Sequence, residues 1–207
     1  MTNFTSFIQT AIFACAMALG ATPAFAGPVY RVTIDTSSLA EASGLLDFAL
    51  TSNDASPDLT SVTLTNFSGD FGAGVTRGGD VSDIAGGYAI GSGAGLSWLS
   101  RFVNLGGSFG FNVGFADSFG GVDGVGLEVS LFDVDMTRYL GMDGPLVSFV
   151  LVPAMGAEPS FVSVSADNAL GSVSAIPEPS ELLLMLTGLA MLGFVTRRAR
   201  RARQKAQ

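Results

Sequence analysis

The sequence predicts an all-β ectodomain, an antiparallel β-sandwich of jelly-roll or immunoglobulin-like kind, followed by one C-terminal transmembrane helix. Three observations carry the prediction. The dominant hydrophobic period of the body is two, no stretch of it repeats at helical spacing for ten residues, and Gly, Asp, Asn and Pro clusters separate the apolar runs. Parallel sheets need helical crossovers, so a body without helical periodicity should pair its strands antiparallel.

The elements follow in chain order. Tyr30, Val32 and Ile34 alternate with Arg31, Thr33 and Asp35, and Leu46, Phe48 and Leu50 alternate with Asp47, Ala49 and Thr51. Each apolar set makes the buried face of one strand. Phe109, Phe111, Val113 and Phe115 stand between Ser108, Gly110, Asn112 and Gly114, and Val125, Leu127, Val129 and Leu131 between Gly126, Glu128 and Ser130. These two stretches show the clearest alternation. Further strands are predicted near 61–66, 96–103, 147–152 and 161–165. Ten glycines fall between Gly69 and Gly95, a density that predicts long surface loops. The small, polar stretch 171–176 reads as an exposed linker, which bounds the sandwich at 27–170.

Composition works by exclusion. The 207 residues include no His and a single Cys, so Ser-His-Asp and Cys-His relays are absent along with the commonest zinc ligand. At 48% hydrophobic residues the chain can bury a core. The body from Gly27 to Ile176 holds sixteen acidic and four basic residues, a net charge near −12. Such a surface repels phosphate polymers and anionic headgroups, and it can attract divalent or basic partners.

Both ends carry addresses. The run Ile12-Phe-Ala-Cys-Ala-Met-Ala-Leu19 is apolar, and Ala24-Phe25-Ala26 gives the small-x-small pattern of a signal-peptidase site. Residues 1–26 therefore read as a signal peptide, with cleavage set by Ala24 and Ala26 and Gly27 as the new N-terminus, although its first nine residues hold no Lys or Arg. The alternatives are a short buried helix or lipid modification at Cys15, whose preceding Ile12-Phe13-Ala14 faintly resembles a lipobox. Cleavage at Ala26 would remove the only thiol.

At the other end Pro177-Glu178-Pro179 precedes an uncharged stretch, 182–195, and then Arg197, Arg198, Arg200, Arg201, Arg203 and Lys205. Fourteen residues rise only about 21 Å against a hydrocarbon core of about 30 Å, so flanking residues and snorkelling Arg stems must complete a span at about 181–196. The apolar residues run all the way round this helix, which argues against an amphipathic surface helix. The Arg cluster orients the span with its C-terminus in the cytoplasm and the body outside. Juxtamembrane position accounts for the basic residues, and nucleic acid is set aside as a partner.

This order of motif, short apolar helix and Arg-rich terminus, over residues 177–207, resembles the PEP-CTERM sorting signal of Gram-negative bacteria. The resemblance implies recognition by a membrane-embedded exosortase, cleavage near Pro177 to Pro179, and release or reattachment at the cell surface. It also implies a setting of exopolysaccharide and biofilm production. The opening of the body, Tyr30-Arg-Val-Thr-Ile-Asp-Thr-Ser-Ser-Leu39 with Leu45-Leu-Asp-Phe-Ala-Leu50, resembles a recurring ectodomain type of these proteins that brings no activity with it.

Several motifs in the body suggest chemistry. Leu131-Phe132-Asp133-Val134-Asp135-Met136-Thr137 fits the DxDxT pattern of haloacid-dehalogenase-type phosphatases, in which one Asp attacks phosphorus and a second moves the leaving-group proton. That chemistry also needs a Lys, and the only one is Lys205 in the tail, so a strand end with a polar turn is the better reading. As an EF-hand the same stretch fails, with Arg138 at position 6 and Gly144 at position 12. An irregular structural Ca²⁺ site remains open among Asp117, Asp123, Asp133, Asp135 and Asp143, against solvated turn residues. Gly91-Ser92-Gly93-Ala94-Gly95 has no helix behind it to aim at a phosphate. Trp98, the sole Trp, is either a half-buried core residue or a sugar-stacking platform. Taken with the two ends, these residues describe an exported, membrane-tethered, non-enzymatic surface or biofilm-matrix protein, with no catalytic residue and no cofactor beyond that Ca²⁺. A calcium-dependent carbohydrate-binding module is the first alternative and an exported hydrolase the second.

Overall fold

The computed structural model describes residues 27–52, 60–115, 125–152, 160–166, 169–177, 185–189 and 193. The compact unit Ala26–Ile176 carries all twelve strands of the described residues. Of the other unit, Met1–Phe25 with Pro177–Gln207, the described part is Pro177 and the helical residues 185–189 and 193. Among the described residues no helix is long and apolar enough to cross a membrane.

The strands are β1 Val29–Asp35, β2 Ser43–Thr51, β3 Ser61–Ser68, β4 Phe71–Gly78, β5 Asp80–Ile84 and β6 Gly87–Gly91, then β7 Leu96–Asn104, β8 Ser108–Phe115, β9 Val125–Phe132, β10 Val147–Val152, β11 Phe161–Ser165 and β12 Gly171–Ile176. They form two six-stranded antiparallel sheets, β12-β1-β8-β3-β6-β5 and β11-β10-β9-β2-β7-β4. Antiparallel pairing and the period of two are both as expected from sequence. The inward set of each strand meets the inward set of the other sheet: Val32, Ile34, Phe109, Phe111 and Val113 on one side, Phe48, Leu50, Leu127, Val129 and Phe149 on the other. Each such apolar side chain, fully buried, contributes roughly 1.5–3 kcal/mol of transfer free energy. Phe48 and Phe111 meet edge to face across the layer, with ring centroids 4.9 Å apart and planes at 84°.

Two expectations are corrected. The glycine-rich stretch is not a set of long loops; it holds β4, β5 and β6. Its glycines are spent on close approach: an added Cβ at Gly78 would stand 2.5 Å from Trp98 Nε1, and one at Gly72 would stand 2.6 Å from the Phe102 ring. β4 can lie beside β7 because it brings no side chains where those two rings sit. The second correction concerns 171–176. This segment is β12, paired with β1 from Val29↔Ile176 to Ile34↔Gly171, and Val173 packs on the core. One inward apolar residue and small neighbours suffice for an edge strand. The sandwich thus runs to Ile176, and the chain enters and leaves it at the same end of the β1–β12 pair.

At the opposite edge the two sheets are joined by the single residue Gly79, between β4 of one sheet and β5 of the other. Buried Ser97 closes this corner, accepting from the Asp80 N–H (3.0 Å) and donating to the Gly91 carbonyl (2.7 Å). From the corner β4 and β5 follow different sheets, and the cleft described next is lined from β3, β5, β6 and β7.

Candidate functional site

The cleft, about 370 Å³, is lined by Asn66, Phe67, Asp83, Ile84, Gly86, Gly87, Tyr88 and Arg101. It forms because one strand breaks its alternation. In β3, Val62 and Leu64 point inward, so a regular strand would next turn Asn66 inward and Phe67 to solvent. A register shift between Thr65 and Ser68 interrupts the pairing with β8, and Asn66 adopts a left-handed φ of 53°. Phe67 therefore packs inward, against Phe48, Phe71, Tyr88 and Phe111. Arg31, on the outer face of β1, holds the bulge in place: it donates to the Asn66 carbonyl (2.9 Å), to Asn112 Oδ1 (3.2 Å) and to Ser68 Oγ (2.8 Å). Gly110 makes room for it, since an added Cβ there would collide with Arg31 Nη2.

Arg101 belongs to the inward set of β7, in register with Ser97, Leu99 and Val103. Its guanidinium carbon lies 4.3 Å from the Phe71 ring centroid, 4.8 Å from that of Phe67 and 6.0 Å from that of Tyr88. These rings attract the cation through their π faces. Among the described residues, Nε of Arg101 is buried without a partner. The other arginines of the body are engaged: Arg31 as above, Arg77 with Asp83 at 3.0 Å, and Arg138 with Glu41 at 2.9 Å.

Asp47 is a second unusual group. It sits on the outer face of the second sheet between its register partners Ser100 and Ser130, buried, and Ser100 donates to its carboxylate. Desolvation raises its pKa from the ordinary 3.8, and the Ser100 hydrogen bond offsets part of that rise. The folded protein then keeps this proton at pH values where the unfolded chain has released it. The stabilising contribution is complete below the unfolded value and is lost as pH rises through the folded one. Asp47→Asn should flatten that fall in a series of urea melts across acid pH. An unchanged pH slope in the variant would contradict this assignment.

The sequence-predicted residues distribute as follows. Asp133 is a turn residue: its Oδ1 accepts from the Thr137 N–H (2.7 Å), its Oδ2 accepts from the Thr137 hydroxyl (2.7 Å), and Arg138 Nε lies 3.6 Å from Oδ2. The hydrogen bonds from Thr137 lead in holding its carboxyl below the usual range. Asp135 and Asp143 are exposed, and among the described residues no group of three acidic, His or Cys side chains gathers around a common point. Asp117 and Asp123 lie outside the described residues, as do Ala24, Ala26, Glu178, Pro179, Arg197, Arg198, Arg200, Arg201 and Arg203. Pro177 is exposed just past β12. Trp98 lies on the outer face of its sheet, half-buried beside Gly78, and not in the core. The residue that sequence reasoning missed is Arg101, although a charge in the inward register of an apolar strand was visible there. Compared with family models, curated proteins and solved structures, the chain has no match.

Proposed function

We propose that this chain is an exported, membrane-tethered surface or biofilm-matrix protein without enzymatic activity, passed through the inner membrane and sorted by an exosortase. The observation that carries this reading is the fixed order at the C-terminus: Pro177-Glu178-Pro179, the uncharged run 182–195, then five arginines and Lys205. In this reading residues 181–196 form the transmembrane helix. The fold supports the arrangement in one respect: β12 ends at Ile176, so the motif follows the folded body directly.

The sandwich itself we read as a jelly roll. Orders β1-β8-β3-β6 in one sheet and β2-β7-β4 in the other are those of a chain rolled up from a long hairpin. β5 then turns to the edge of the first sheet, and β9 to β12 extend both sheets at the far edge.

N-terminal sequencing and intact mass of the exported form test this reading. The expected protein begins at Gly27 and has lost its tail near 177–179. A lipid-modified Cys15 at its start, or a surface form that keeps all six tail charges, would overturn it.

A further inference from the structure

We propose that the Arg101 cleft is a binding site for a monocarboxylate carried on a flat, ring-shaped body. The inference concerns the folded body alone and does not depend on how the chain is sorted. Its starting point is an imbalance. The body holds sixteen acids and four arginines, yet among the described residues Arg101 has no acidic partner and, unlike Arg31, its buried Nε has no hydrogen-bond acceptor. It also points inward, where a charge is costly unless hydrogen-bonded.

The surroundings select the ligand. A guanidinium is planar, and its five N–H groups lie in that plane. Phe67, Phe71 and Tyr88 lie within 4.3–6.0 Å of its central carbon, where their π faces serve its charge, and Arg101 lines the cleft, which an acceptor from outside could enter. A carboxylate matches that edge with two parallel bonds. Aromatic walls suit a ring that can stack, whether aromatic or the apolar face of a sugar. Charge sets the rest: among the described residues the cleft brings one cation without an acidic partner, and Asp83 on its rim is already paired with Arg77. One negative charge is matched, and a phosphate dianion would face the acidic surface with no second cation.

The cleft is also built to last and well placed. The bulge that turns Phe67 inward is locked from the outer face by three hydrogen bonds of Arg31. Thr65 pairs with Gly87 at the end of the first sheet away from the Val29↔Ile176 pair, so the cleft lies toward the end remote from the point where the chain leaves the body.

The test uses the full chain in detergent, labelled with ¹⁵N, with the arginine Nε–H signals as the readout. Arg101→Met keeps a stem that can pack on the rings and identifies the Arg101 signal by its loss. Benzoate and glucuronate are titrated against their uncharged counterparts, benzamide and glucose, and against inorganic phosphate. The expected result is a shift of the Arg101 signal with at least one carboxylate, binding about 10- to 100-fold tighter than the uncharged counterpart or phosphate, as expected for a charge-assisted pair. Response to benzoate or to glucuronate tells a free aromatic acid from a uronic sugar unit. Arg101→Lys, which keeps the charge and loses the fork, should weaken binding about tenfold with the backbone spectrum unchanged. Equal binding of charged and uncharged partners, stronger binding of phosphate, or no shift with either carboxylate on the order of tens of millimolar would overturn the proposal.

Discussion

Phe111→Ala is expected to cost about 3–5 kcal/mol of folding free energy, the range for truncating a fully buried aromatic. Phe111 is entirely buried at the middle of β8, opposite Val32 of β1. It is the point where the layers lock: its ring meets Phe48 of the other sheet at 4.9 Å and lies beside Phe67, at 5.9 Å with planes 29° apart. An alanine there would leave a cavity between two sheets whose backbones are fixed by their ladders and cannot close over it. Against a typical total of about 5–15 kcal/mol, the loss should appear as a large drop in urea midpoint with the slope unchanged. The same variant should loosen Phe67 and with it the wall of the Arg101 cleft. A loss under about 1 kcal/mol would mean that the sheets do not pack face to face through this ring.

How much of this was legible in the residues depends on the strand. In β8 and β9 every second residue is large and apolar, and the period alone places them. In β4, Phe-Gly-Ala-Gly-Val-Thr-Arg-Gly, there is no alternation to read, because its outer positions are filled by rings from β7. The partner supplies the side chains, and a single-strand pattern cannot show that. β12 was hidden for a related reason: a strand that covers one edge needs only Val173 to face the core.

The cleft was half visible. Arg101 stands in the inward register of β7, and that position can be counted from Leu99 and Val103. Its aromatic surroundings could not be counted. Phe67 faces inward only because the bulge at Asn66 reverses the alternation of β3, and the bulge depends on Arg31, thirty-five residues away in sequence. Asp133 shows the converse, a motif whose residue types suggested chemistry and whose carboxylate is taken up by its own turn.

The reading as a tethered, sorted surface protein makes its sharpest claim at Pro177-Glu178-Pro179. Neither proline can donate a backbone hydrogen bond, and each disfavours helix in the residue before it, which opposes upward extension of a following span. In this reading the motif follows β12 on the exported side, with the Arg cluster setting the orientation. A short apolar helix is weakly anchored and costs little to release once cut. Replacing the three residues together with alanine should leave membrane insertion intact and abolish removal of the tail. The deciding measurement is the intact mass and cell fraction of the original and the triple variant in a host that carries an exosortase. The account predicts a trimmed, surface-delivered original and an untrimmed variant retained in the inner membrane; a variant trimmed and delivered like the original would contradict it.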